Sequence, residues 1–146
     1  MAKENPIRTI ELIFLTSDLS LLPSKFMSTQ DKCCTIVPYF EVPTADLLAF
    51  KKLCEQFVAK SKNEPKCLYY GFSFDGNQVH CREGYEDAEG LLAHLGNVGQ
   101  LLDEAFKVAT MTRLEIHGPE EELAKLREPL AKLKPKFFIL EYGFRR

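Results

Sequence analysis

The chain has no tryptophan, no CxxC pair, no apolar run approaching a membrane span and no marked excess of either charge. Each lack removes a class of function. A formal net charge of −2 gives no electrostatic reason to seek nucleic acid or an anionic membrane surface. Five cysteines, Cys33, Cys34, Cys54, Cys67 and Cys81, are an odd number without metal-ligand spacing. They read as free thiols in a reducing compartment, and the adjacent Cys33-Cys34 finds no second pair to complete a metal site. No stretch is long and apolar enough to span a bilayer. The first ten residues include Glu4 and lack the positive-then-apolar layout of a signal peptide, so a cytoplasmic location is expected.

What is present fits one domain of 146 residues with 45% hydrophobic side chains. Residues 1–32 read as an N-terminal extension, with strand composition over Ile7–Thr16, loop character over Ser17–Gln30 and an alternative start at Met27. The domain itself is expected over residues 33–146.

Its organising stretch is Glu64–Leu95. Asp75-Gly76-Asn77 between two aromatic and β-branched runs predicts a tight hairpin, since glycine and asparagine tolerate the positive φ of two-residue loops. With Gly76-Asn77 as the loop, Phe74 faces Val79, Phe72 faces Cys81, Tyr70 faces Glu83 and Leu68 faces Tyr85. Alternation puts these eight on one sheet face. That face is apolar but for one carboxylate, Glu83, flanked by two tyrosines. The opposite face carries Tyr69, Gly71, Ser73, His80 and Arg82.

Around the hairpin, Cys33–Val42 reads as a strand buried on both sides. Thr44 is placed to cap a helix whose buried face is Leu47, Phe50, Cys54, Phe57 and Val58, ended by Pro65. A second helix spans about Asp87–Val108, with Gly96 and Gly99 expected to weaken its middle. It shows two apolar stripes, one of which carries His94 between Leu91 and Val98. Thr110–His117 alternates as a strand, Gly118-Pro119 opens a third helix, and Lys136–Phe144 closes the chain as a strand. The first six elements give βαββαβ, predicting an α+β, ferredoxin-like antiparallel sheet with helices on one face. The first and last strands are apolar on both sides, so a homodimer with sheets packed face to face is expected.

Glu83 is the sharpest candidate for chemistry. An ionised carboxylate on a buried apolar face needs a partner or its pKa rises, which suits a general base for a phenol or enol. The competing reading is a hydrogen bond across the sheet to Tyr70, or an ion pair at the sheet edge. His94 has the near-neutral pKa of a proton carrier, or is a histidine satisfied on an apolar stripe. Tyr70 and Tyr85 either donate to a ligand oxygen or are core aromatics. Phe72 and Val98 would line the same space. Asn97, three residues after His94, either orients it or serves an exposed cap. His80 and Arg82 read a ligand carboxylate or pair across a dimer interface.

The element order, EPKCLYYGFSFDG, the acid-x-aromatic pair in REGYED and the helix start around His94 resemble the antibiotic biosynthesis monooxygenase-like family of dimeric α+β barrels. The carrying residues are Glu64-Pro65-Lys66-Cys67, Glu83, Tyr85 and Leu91–Leu95, and the resemblance covers roughly Cys33–Thr112. It implies a homodimer with a small aromatic or hydrophobic ligand held between sheet and helices. It also implies oxygenation of quinol-like substrates with no metal or flavin cofactor, with Glu83 and His94 catalytic and Tyr70, Tyr85, Phe72, Asn97 and Val98 around the substrate. The family pattern has tryptophan two residues after the strand acid, where this chain has Tyr85. Related barrels also bind ligands without catalysis, a non-enzymatic or stress-associated alternative, and haem binding through His94 or His80 is a third.

Overall fold

The computed structural model describes residues 29–146; the expectations for Ile7–Thr16 and for Met27 lie outside the described residues. Five strands, β1 (Cys34–Glu41), β2 (Cys67–Asp75), β3 (Gln78–Tyr85), β4 (Thr110–Gly118) and β5 (Lys136–Ile139), form one sheet in the order β2-β3-β1-β4-β5. β1 to β4 pair antiparallel and β5 joins β4 in parallel. Helices α1 (Leu47–Ser61), α2 (Ala88–Val108) and α3 (Glu120–Arg127) complete the α+β, ferredoxin-like fold. No helix among the described residues is long and apolar enough to cross a membrane.

The β2–β3 hairpin has the register expected over its outer part: Phe74 opposite Val79, Phe72 opposite Cys81 and Tyr70 opposite Glu83. Gly76 takes the left-handed φ of 56° that the turn requires. Asn77 does not take positive φ. Its carbonyl instead accepts the Val42 N–H at 3.0 Å and its amide donates to Thr44 Oγ1 at 3.1 Å, tying the turn to the start of α1. Thr44 is therefore not the helix cap; a single 3-10 turn at Thr44–Asp46 leads into α1. The register expectation fails at the strand's start. A bulge between Cys67 and Tyr69 sets Cys67, not Leu68, against Tyr85.

α2 is one continuous helix, and Gly96 and Gly99 do not interrupt it. A side chain at either glycine would meet nothing within 4 Å, so neither is needed for close packing. Each costs about 1 kcal/mol in helix propensity. Burial of Leu91, His94, Val98, Leu101 and Ala105, the stripe containing the histidine, outweighs that cost.

Two apolar clusters fill the space between sheet and helices. One gathers Tyr85, Leu91, Ile116, Leu123 and Leu126; the other gathers Phe40, Phe50, Phe57, Val79, Val98 and Leu101. β5 is shorter than expected: after Ile139 the chain leaves the sheet, and Tyr142 and Phe144 are exposed.

The start of α2 is held by two carboxylates. Asp87 caps it through the Gly90 N–H at 2.8 Å and pairs with Lys66 at 2.7 Å. Glu122 of α3, itself buried, accepts the Ala88 N–H at 2.9 Å and meets Lys125 at 3.0 Å. Burial would raise the Glu122 carboxyl, but these donors outweigh it and hold it below its ordinary range. Replacing Glu122 by Ala should orphan a buried N–H and destabilise the fold by about 1–3 kcal/mol. Urea unfolding of Glu122→Ala against wild type measures this, and an unchanged midpoint would show that the helix start finds another acceptor.

Candidate functional site

The hairpin register carries Glu83 to the middle of the helix-facing sheet surface, between Ile36 of β1 and Tyr70 of β2. The seated stripe of α2 lowers His94 directly onto it. Both are buried, Glu83 with 4% and His94 with 2% of its surface exposed. His94 Nε2 lies 3.1 Å from Glu83 Oε2, and the Tyr85 hydroxyl donates a short hydrogen bond to the same oxygen. The other ring nitrogen, Nδ1, lies 2.9 Å from Glu64 Oε1 and also 2.9 Å from Oε2.

Glu64 reaches this position because Pro65 disfavours helical geometry in the residue before it. The chain turns after α1, with the Glu64 N–H bonded to Ser61 O at 3.1 Å and the Cys67 N–H to Glu64 O at 3.2 Å. The carboxylate then hangs over α2, where Asn97 Nδ2 donates to Oε2 at 2.7 Å. The tyrosine rings pack on the imidazole, Tyr70 with centroids 5.3 Å away and Tyr85 5.1 Å away.

These contacts set the protonation states. Burial alone would lower the His94 pKa, but hydrogen bonds and charge from Glu83 and then Glu64 outweigh it and raise it above the ordinary histidine value. Burial, followed by the Glu83 charge, pushes the Tyr70 and Tyr85 hydroxyls upward. They therefore stay protonated and act as donors. Burial raises the Cys81 thiol too, which removes any nucleophilic role at neutral pH.

Beside the pair lies a cavity of about 80 Å³ on the seam between the two apolar clusters. Glu83, His94, Tyr70 and Phe72 stand on its wall among aliphatic and aromatic side chains, and its most exposed lining residues are Phe106 and Leu133. Tyr85 and Val98 are fully buried and do not line it. Tyr85 instead stands behind Glu83 as its donor. Asn97 lies outside the cavity as well and reaches His94 only through Glu64.

The structure thus brings together Glu83, His94, Tyr70, Phe72 and Tyr85. Glu83 bonds to neither Tyr70 nor a sheet-edge cation; its partners are on α2 and on its own strand. His80 and Arg82 lie on the opposite sheet face, where His80 packs on Tyr39 and Arg82 on Tyr69. Sequence reasoning missed the role of Glu64, whose partner is thirty residues away on another element. The only local sign of it is the proline that follows.

His94 ties stability to pH. Its folded pKa is raised, so its proton stabilises the fold fully below about 6.5, the value for free histidine, and this contribution is lost as pH rises through the folded pKa. Urea unfolding across that window should show wild-type stability falling with pH. The fall should be smaller in Glu83→Gln, and an identical slope in the variant would mean that Glu83 does not hold the proton on His94.

The chain matches no protein-family model and no curated protein sequence. Among solved structures it is similar to MupZ from Pseudomonas fluorescens, at 55% identity over 81% of this chain and 92% of that one, with a TM-score of 0.78. It also shares its fold with a protein from Nitrosomonas europaea named as a candidate antibiotic biosynthesis monooxygenase, at 18% identity, 63% and 94% coverage and a TM-score of 0.57. A Caulobacter crescentus protein named in the same way matches at 22% identity, 59% and 88% coverage and a TM-score of 0.53. By sequence the chain belongs to the family of MupZ, and its fold is that of the antibiotic biosynthesis monooxygenase-like proteins.

Proposed function

We propose that this protein transfers a proton from a small, largely apolar substrate that enters the cavity with a hydroxyl or enol group leading. One observation carries the reading: a carboxylate and an imidazole in mutual contact stand buried on the wall of an otherwise apolar cavity. Such a wall offers a ligand almost nothing polar except an acceptor at Glu83 and a donor at Tyr70, since both ring nitrogens of His94 are taken by carboxylates. A substrate hydroxyl therefore gives its hydrogen bond to Glu83, and its proton follows when the anion is stabilised.

The reaction proposed is monooxygenation of an electron-rich, quinol-like aromatic without a bound metal or flavin. Glu83 takes the hydroxyl proton, with His94 as its buried counter-charge. Tyr70 donates to the oxyanion that forms, and the electron-rich ring then reacts with dioxygen. Tyr85 keeps Glu83 in place, and Phe72 supplies apolar wall. The fold shared with proteins named as monooxygenases supports the oxygen-dependent form of the chemistry.

The cavity's size favours a second reading. About 80 Å³ is roughly half of the ~150 Å³ dry cavity that accommodates benzene. A ring enters only if an exposed lining residue such as Leu133 or Phe106 moves, and a non-catalytic site for part of a hydrophobic ligand needs no such movement.

We infer as well that the chain forms a homodimer through the sheet face that the helices leave uncovered. That face presents the rings of Tyr39, His80, His117 and Phe138. Sedimentation at about micromolar concentration should give the dimer mass, and a single monomeric species would remove the inference.

The functional test is oxygen uptake with a panel of quinols and naphthols. Glu83→Gln and His94→Ala should each lose about 100-fold or more in rate while remaining folded. Substrate conversion without oxygen uptake would keep the proton transfer and discard the oxygenase. No conversion of any kind would leave the ligand-binding reading.

A further inference from the structure

Glu64 is a carboxylate that no expected role accounts for. It sits in the turn between α1 and β2, its side chain 11% exposed, and grips the outward nitrogen of a buried histidine with both oxygens at 2.9 Å. The inward nitrogen of the same ring meets Glu83 at 3.1 Å. An imidazole bridging two carboxylates in this way has both N–H groups used as donors only when it is a cation.

We propose that Glu64 is a positioning residue for the proton-transfer site: it locks the His94 ring and holds the charge on it, so that Glu83 keeps a permanent counter-charge and remains an ionised base toward the cavity. The proposal rests on the proton-transfer reading for its purpose, and on geometry alone for its content. Glu64 never touches the cavity, so it acts only through His94.

Every group facing the ring fits this assignment. From β3 come Glu83 and the protonated Tyr85, from β2 Tyr70, and from the turn Glu64. Lys60 of α1 is directed to the Asn97 carbonyl at 3.2 Å rather than to Glu64, and Lys66 is directed to Asp87 at 2.7 Å. Asn97 meanwhile donates its side-chain amide to Glu64 Oε2 at 2.7 Å, fixing the carboxylate without neutralising it. Two negative charges around the ring therefore have one cation between them, the imidazolium itself. Glu64 is also the more exposed of the two carboxylates, its side chain 11% exposed against 6% for Glu83.

A purely structural role is the competing explanation: the carboxylate would simply tether the turn to α2. Glu64→Gln separates the two. The amide oxygen still accepts the Nδ1–H and keeps the tether, but the charge is gone. The experiment is a pH titration of the histidine ring nitrogens by long-range proton–nitrogen NMR on the full chain without substrate. The signals of His94 are identified by their loss in His94→Gln, leaving those of His80 and His117.

In wild type, both His94 nitrogens should be protonated at neutral pH, with a midpoint above that of free histidine. In Glu64→Gln the midpoint should fall by about one pH unit or more while the backbone spectrum stays native. Asn97→Ala, which frees the carboxylate without removing its charge, should move it less, and it serves as the second variant if Glu64→Gln does not fold. A neutral His94 in wild type, or an unchanged midpoint in Glu64→Gln, overturns the proposal. So does a fall in Asn97→Ala as large as that in Glu64→Gln.

Because this readout needs no substrate, it stands apart from the proton-transfer reading. If the midpoint falls and yet no substrate is converted by any form of the protein, Glu64 governs the charge of His94 and the catalytic reading alone is lost. Where turnover is measurable, Glu64→Gln should lower kcat about 10-fold or more with KM unchanged and should displace the pH profile. Equal kcat in the two proteins would overturn the positioning role.

Discussion

A carboxylate on the buried face of a sheet is tolerated only if its charge is met, and the middle of this molecule is arranged around meeting it. Glu83 cannot move outward, because the alternation of β3 directs it beneath the helices. A hydroxyl and an imidazole both donate to its Oε2. The histidine that supplies the counter-charge is itself buried and would be neutral alone, so a second carboxylate is recruited from the α1–β2 turn. Isolated buried ion pairs are weak contributors to stability, since desolvation offsets most of the attraction. A chain of three such groups, two of them on the wall of a cavity, is better explained by what it can do to a ligand than by what it adds to folding.

The way α2 is held follows from the same need. His94 must arrive at a defined height above β3, and the height is set where α2 begins. Asp87, itself held by Lys66, and the buried Glu122 of α3 accept the N–H groups of the first turn. That is a large investment in one helix start, and it makes the position of residues seven places on dependent on α3. The ferredoxin-like core ends at β4, so the C-terminal α3–β5 unit contributes to the site through this one carboxylate rather than by lining the cavity deeply.

The sequence revealed the fold because its signals are local. Asp75-Gly76-Asn77 pins the hairpin, two-residue alternation then dictates which side chains share a face with Glu83, and helical spacing puts His94 on an apolar stripe. Where local signals were contradicted, packing or pairing had intervened. Gly96 and Gly99 do not break α2 because the buried stripe holds it, and the Cys67–Tyr69 bulge shifts one end of a register counted from the turn. Asn77, read as a turn residue, spends its hydrogen bonds on Val42 and Thr44. The site was half legible for the same reason. Glu83, Tyr70, Tyr85 and Phe72 lie within one hairpin, and His94 shares a recognisable stripe. Glu64 meets His94 only after the chain has folded through two strands, and no spacing rule connects them.

The phenol at position 85 bears on how the cavity can work. Tyr85 is fully buried against His94 and directs its hydroxyl along its own strand to Glu83. An indole there has its donor fixed in the ring plane and cannot place it on a carboxylate two residues away with the same freedom. With tyrosine, Glu83 has its second donor inside the protein, so the oxygen that takes neither Tyr85 nor His94 is left for a ligand. The pair then resembles a base whose wrong face has been closed. Under the proposed function a small, narrow, apolar cavity on the remaining side favours a leading hydroxyl on a hydrocarbon body, whose proton meets Glu83 and whose oxygen meets Tyr70. In that proposed reaction, recognition and proton removal depend on the same carboxylate. The charge that makes Glu83 costly to bury is therefore also the charge that binds.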